Sequence, residues 1–154
     1  MKISTKGQYA VRLMVEIAKS NDLISISNIS KNQEISPKYL EQIVSLLVKN
    51  NLLESVRGHM GGYKLTRPAN KINIKEILDT TGDACALAPC VVGECSRKFS
   101  CDAVGVWKIL GELINDYLSS VTLKDLIEKQ SKKYWQQCFF ILKWIHTELV
   151  GIKM

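Results

Sequence analysis

Residues 36–51, SPKYLEQIVSLLVKNN, allow few folds. Ser36 followed by Pro37 marks a helix start, because the hydroxyl can accept from a first-turn N–H and proline sits where no N–H is needed. Leu40, Ile43, Val44 and Leu47 then recur at helical spacing as a core face, leaving Lys38, Glu41, Gln42, Ser45 and Lys49 on the opposite side. Immediately after comes LLESVRGHMGGYKLTRP, with short apolar–polar runs at 52–56 and 63–66 around a bend containing Gly58, Gly61 and Gly62. Glycine accepts the positive backbone angles of such a bend, so the segment predicts a β-hairpin.

Upstream, Ala10, Leu13, Met14, Ile17 and Ala18 form the stripe of an amphipathic helix that Ser4 or Thr5 can cap. A short second helix is expected in SISNISKNQ, capped by Ser25, with Ile26 and Ile29 pointing one way and a turn at Gln33 and Glu34. Two short helices, a tight turn and a polar-faced second helix make a helix-turn-helix, whose second helix can lie in a DNA major groove. The hairpin after it reads as a wing, with Arg57 at its bend and Lys64 and Arg67 along its return. A cation at such a tip can enter the electronegative minor groove. The plain alternative is a surface hairpin with solvated charges.

Charge placement favours a polyanion partner. The net charge is +6, and residues 1–71 hold eleven Lys/Arg against five Asp/Glu, while residues 72–154 hold ten of each. At 154 residues the chain is one domain, or a small domain with an extension. The start lacks a signal-peptide pattern, and the longest apolar cluster, 138–142, falls far short of a bilayer span. The expected location is the cytoplasm, without membrane association. There thiols stay reduced, and clustered cysteines read as metal ligands or redox groups before disulfides.

MKISTKGQYAVRLM, ISPKYLEQIVSLLVKNNLLESVRG and GGYKLTRP resemble the amino-terminal winged helix-turn-helix of the IscR-like regulators, the Rrf-two family. The likeness is close over the first seventy residues and looser to about residue 130. It implies that Ser36, Lys38, Glu41 and Gln42 occupy the base- and phosphate-facing start of the recognition helix, and that Arg57 takes the wing's minor-groove position. Tyr39, Gly58 and Lys64 complete the expected DNA-binding set. The chemistry agrees, since Gln can pair bidentately with adenine, Glu can accept from cytosine, and Lys suits a guanine or phosphate.

The second half has another task. NIKEILDTTG predicts a short helix with Asn73 as N-cap, Glu76 as capping-box partner and Gly82 past its end. Further on, Val104, Trp107, Leu110, Ile114, Tyr117, Leu118 and Val121 share helical spacing, giving a wide apolar side. The resemblance implies that this long helix pairs with its twin in a homodimer; packing within one chain is the competing reading. Thr122 and Asp125 can cap the next short helix. The tail 134–154 turns aromatic and apolar, matches nothing in the family pattern, and receives no function.

Between these helices Cys85, Cys90, Cys95 and Cys101 are spaced C-x4-C-x4-C-x5-C, in a segment with Pro89 and Gly93 that predicts a loop. Structural zinc sites favour paired C-x2-C knuckles, absent here, whereas iron–sulfur clusters accept more varied spacing. The resemblance implies three cluster cysteines, matched by Cys90 (with a one-residue shift), Cys95 and Cys101, the last followed six residues later by Trp107. A histidine that serves as fourth ligand in relatives is replaced by Val104, which cannot coordinate. Cys85 is the local candidate for that role; Gln8, His59 and His146 are poorer ones. An iron–sulfur cluster is expected, [2Fe-2S] in preference to [4Fe-4S], with zinc or no metal as alternatives.

The expected fold is mostly α with a small β-hairpin wing: a winged helix-turn-helix over 1–82, a cysteine-rich sensor loop over 83–102, and a dimerisation helix with a short following helix over 103–133. The expected function is a homodimeric regulator of transcription on double-stranded promoter DNA, sensing iron–sulfur status, redox or nitric oxide. The alternative is a cluster-free regulator controlled by a protein partner or by direct thiol oxidation, as in the family's cysteine-metabolism branch, which lacks this loop. An enzyme is not expected: a thiol oxidoreductase wants a C-x-x-C pair or a cysteine beside a histidine base, and neither is visible.

Overall fold

The computed structural model describes residues 3–20, 22–58, 61–83, 95–96 and 100–128. Its elements follow in the order α1 (Thr5–Lys19), α2 (Ile26–Gln33), α3 (Pro37–Lys49), β1 (Leu53–Val56), β2 (Gly62–Leu65), a 3-10 turn (Ala69–Lys71), α4 (Ile74–Thr81), α5 (Val104–Ser120) and α6 (Leu123–Ile127). Cys85, Cys90 and the tail 134–154 lie outside the described residues.

Each early helix begins on the side chain expected of it. Ser4, Ser25 and Ser36 accept from the backbone N–H three residues on, at Gly7, Asn28 and Tyr39, and Pro37 opens α3. Glu34 ends α2 in the left-handed conformation, and Asn51 does the same after α3. Leu13, Met14, Ile29, Leu40, Ile43 and Leu47 are fully buried where these three helices meet. Burial of that kind, rather than helix propensity, holds short helices in place.

The wing is antiparallel, with Leu53 opposite Leu65 and Val56 opposite Gly62. Its strands start and stop within one residue of the runs seen in the sequence. Gly58 has φ +129, a conformation costly for any side chain, and turns the chain at the tip. The other edge of β2 is also bonded. Ile24 N donates to Tyr63 O at 3.2 Å and Tyr63 N donates to Ile24 O at 3.0 Å, tying the wing's root to the α1–α2 connection. At Gly62 a Cβ would come within 2.7 Å of the Ile24 carbonyl oxygen, so only glycine permits this approach.

Asn73 caps α4 as expected and Gly82 ends it at φ +82. The capping box expected of Glu76 is replaced by an ion pair: its carboxylate takes Arg67 Nη2 at 2.6 Å. α5 returns to this body at its far end, where Val121 and Leu123 are buried and Ile74 N donates to Val121 O at 2.9 Å. Thr122 and Asp125 form a reciprocal capping box for α6.

Candidate nucleic-acid interface and cysteine loop

The residues singled out on α3 share one solvent-facing surface. Ser36, Lys38, Glu41 and Gln42 are exposed, while Leu40, Ile43 and Val44 between them are buried. The 3.6-residue period thus separates the two groups, as the sequence predicts. Tyr39 is half-buried and sets its ring edge-on to Tyr9, with centroids 5.8 Å apart. Among the described residues no acidic group forms a salt bridge with Lys38.

On the wing, Arg57 and Gly58 are exposed at the tip, and no salt bridge among the described residues involves Arg57. The other two cations behave differently. Lys64 lies opposite Glu54 and pairs with it at 3.3 Å, a surface contact worth little in stability but locally neutralising. Arg67 turns inward, donating from Nε to Lys71 O at 3.1 Å and from Nη2 to Glu76. Arg67 is therefore a brace between the wing's end and α4, not a cation along the wing's edge; the sequence could not reveal that Glu76 would claim it.

A second set of contacts fixes Asp83, the last described residue before the cysteine segment. Asp83 accepts from Ser4 N at 3.0 Å and Ser4 Oγ at 2.7 Å, and from Thr81 Oγ1 at 2.9 Å. Gly7 passes so close that a Cβ there would run into the Asp83 carboxylate. Burial works to raise the Asp83 pKa, but the Ser4 and Thr81 hydrogen bonds and the charge of Lys6 outweigh it and hold the carboxyl below the ordinary aspartate range. Ser4→Ala removes the α1 cap and the hydroxyl bond to Asp83, leaving the backbone bond from residue 4. It is expected to lower folding stability by about 1–2 kcal/mol, readable as a lower urea midpoint with unchanged slope.

At the far end of the cysteine segment, Cys101 O accepts from Val104 N at 3.2 Å, where α5 begins. Cys95 and Cys101 are half-buried free thiols, the donor type that both zinc and iron–sulfur centres require. Val104 offers no donor and stands in the first turn of α5. The two described thiols fit a thiolate-ligated centre, and the other two cysteines of the spacing, Cys85 and Cys90, lie outside the described residues.

Beyond the cysteine segment, α5 presents an apolar surface that no other described residue covers. Val106 is 60% exposed, Ile109 and Leu113 are each 61%, Tyr117 is 51% and Trp107 is 42%. The inner side is different: Gly111 is buried, and Ile114 and Leu118 are half-buried. The stripe expected from the sequence therefore divides, with Trp107, Leu110 and Tyr117 facing out and Ile114, Leu118 and Val121 turned toward the body. Val106, Ile109 and Leu113 join the outer face, which the sequence reading did not include. Among the described residues no helix is long and apolar enough to cross a membrane.

The arrangement of helix pair, hairpin and long apolar helix has counterparts. The family model Rrf2, described as an iron-dependent transcriptional regulator, matches residues 3–129. The chain belongs to the Rrf2 family. An IscR regulator of Xenorhabdus nematophila is 35% identical over 133 residues, 84% of this chain and 81% of that protein. Among solved structures, CymR of B. subtilis, the global cysteine regulator, superposes with a TM-score of 0.71 at 30% identity, covering 84% of this chain and 98% of that one. T. potens IscR gives a TM-score of 0.68 at 32% identity, covering 84% and 88%. This Rrf2 chain is a transcription regulator, and the relatives are named as regulators rather than enzymes.

Proposed function

We propose that the protein is a homodimer that binds promoter DNA through the exposed face of α3 and the tip of the wing, and whose affinity is set by an iron–sulfur cluster on the cysteine loop. The observation that carries the DNA contact is the exposed row Ser36, Lys38, Glu41 and Gln42 backed by buried Leu40, Ile43 and Val44, with Arg57 exposed on the adjoining wing. In this reading Glu41 and Gln42 address base edges, Lys38 a guanine or phosphate, and Arg57 the minor groove, with Tyr39, Gly58 and Lys64 at the margins.

The apolar outer face of α5 supports the dimer. A surface of that kind on one helix is far more apolar than a solvated helix face, and a second copy would cover it by a twofold contact in which each helix meets its twin. Two heads would then read two half-sites.

Cys90, Cys95 and Cys101, with Cys85 as fourth donor, would hold the cluster. When bound, such a cluster supplies a centre that responds to oxidants and nitric oxide. The chain's own contribution is mechanical. Asp83, two residues before Cys85, fastens the loop's root to the cap of α1, and Cys101 joins its end to the first turn of α5. Ordering the loop would therefore bias how the head sits on the dimer helix, shifting the population that fits DNA.

The DNA contact is tested by binding as a function of salt, using an operator selected by the full-length protein from random duplexes. Arg57→Ala is expected to weaken binding about 10- to 100-fold and to reduce the salt slope by about one. Unchanged affinity and slope would remove Arg57 from the interface.

A second reading is supported by the likeness to CymR: a regulator without a cluster, controlled by a protein partner or by oxidation of the thiols themselves. Iron and sulfide content of the anaerobically purified protein separates the two.

A further inference from the structure

One exposed arginine on α1 lies at the junction of three elements. Tyr9, Arg12 and Glu16 occupy positions i, i+3 and i+7 and so share one face of α1. Arg12 Nε donates to Gln33 Oε1 at 2.9 Å, and its Nη2 donates to the Gln33 backbone carbonyl at 2.6 Å. The same Gln33 amide donates from Nε2 to Glu16 Oε2 at 2.9 Å, while Asn32 Nδ2 donates to Glu16 Oε1 at 2.7 Å. Both ends of the Gln33 side chain are therefore engaged, and its orientation is fixed.

Gln33 is the last residue of α2, followed by Glu34 at φ 55 and then by the cap of α3. Its carbonyl belongs to the last turn of a helix, where no intrahelical N–H remains to meet it. A guanidinium there supplies both the missing donor and a charge favourable to the helix dipole. Arg12 also reaches α3 by a second route. Its guanidinium carbon lies 5.5 Å from the centroid of Tyr9, whose ring meets Tyr39 in the first turn of α3.

We propose that Arg12 is a positioning residue for DNA recognition: it fixes the angle at which α3 leaves the turn, and so acts on specificity through Gln33 and the Tyr9–Tyr39 pair. This rests on the reading of α3 as the helix that addresses bases. A positioning residue and a phosphate contact predict different results. A cation on phosphate contributes equally to every sequence and adds to the salt slope, whereas an error in the angle of α3 harms only the bonds to base edges.

The test measures affinity for the selected operator and for a scrambled duplex of the same length, each across a salt series, with wild type, Arg12→Ala, Arg12→Lys and Gln33→Ala. Arg12→Ala is expected to lower the operator-to-scrambled ratio on the order of tenfold, leaving the scrambled affinity and its salt slope as in wild type. Arg12→Lys keeps the charge but has no planar fork to span Gln33 Oε1 and O together, so it should resemble the alanine variant. Gln33→Ala should lower the ratio in the same direction. A slope reduced by about one with the ratio unchanged, full rescue by lysine, or no effect of either arginine variant would each overturn the proposal. If wild type itself selects no duplex, the DNA-reading assignment of α3 fails first, an outcome distinct from wild-type selection with indifferent Arg12 variants.

Discussion

Replacing Ile109 and Leu113 together by aspartate is expected to yield a folded monomer that no longer holds its operator. Both side chains are 61% exposed in the single chain, so their loss leaves the core of Leu13, Met14, Leu40 and Ile43 intact. Across a twofold contact the same change would bury four uncompensated carboxylates, a cost that hydrophobic packing cannot offset. Losing the second head removes the effective-concentration gain of a linked pair, on the order of 10²- to 10⁴-fold in affinity. Light scattering should report the monomer mass, circular dichroism an unchanged helix content, and anisotropy the lost affinity. A dimer that persists with wild-type operator binding would show that α5 is not the interface.

The second large effect concerns the thiols. Anaerobically purified protein is expected to show visible absorption with matched iron and sulfide, and Cys101→Ala is expected to lose all three. Cys101 is only half-buried, and its carbonyl bond to Val104 N belongs to the backbone, so the substitution should leave α5 in place. The far-ultraviolet spectrum should match wild type, which separates loss of a ligand from loss of fold. A colourless wild-type protein containing zinc would assign the same cysteines to a d10 ion, and one with no metal would favour control by a partner or by the thiols directly.

Much of the head was legible because its signals are local. Ser36 and Pro37 announce a helix by side-chain chemistry within three residues, and the period of Leu40, Ile43, Val44 and Leu47 separates core from solvent without knowledge of the rest of the chain. Asn73, Gly82 and the Thr122–Asp125 box were readable for the same reason. The misses are long-range. Glu76 looks like a capping-box residue until Arg67, nine positions earlier, is folded against it.

Ser4 and Asp83 are separated by 79 positions and meet only once α4 has packed on α1. Nothing near either residue points to the other. Arg12 is similar: its partner lies 21 residues away, and an arginine on the polar side of an amphipathic helix gives no sign that it will reach a backbone carbonyl. Its one clue is spacing, since Tyr9, Arg12 and Glu16 line a single face. The outer face of α5 was only half legible, because Val106, Ile109 and Leu113 gain meaning when Gly111 is seen buried on the opposite side.

The most direct test of this account is a hydroxyl-radical footprint of the full-length protein on its selected operator. Two heads joined through α5, each with α3 in the wide groove and Arg57 in the narrow one, predict two symmetric sets of protected sugars. Their centres should be separated by one helical turn, roughly 34–36 Å, or a multiple of it, and the narrow-groove protection should disappear in Arg57→Ala. A single asymmetric patch, or protection unchanged by Arg57→Ala, would contradict the account.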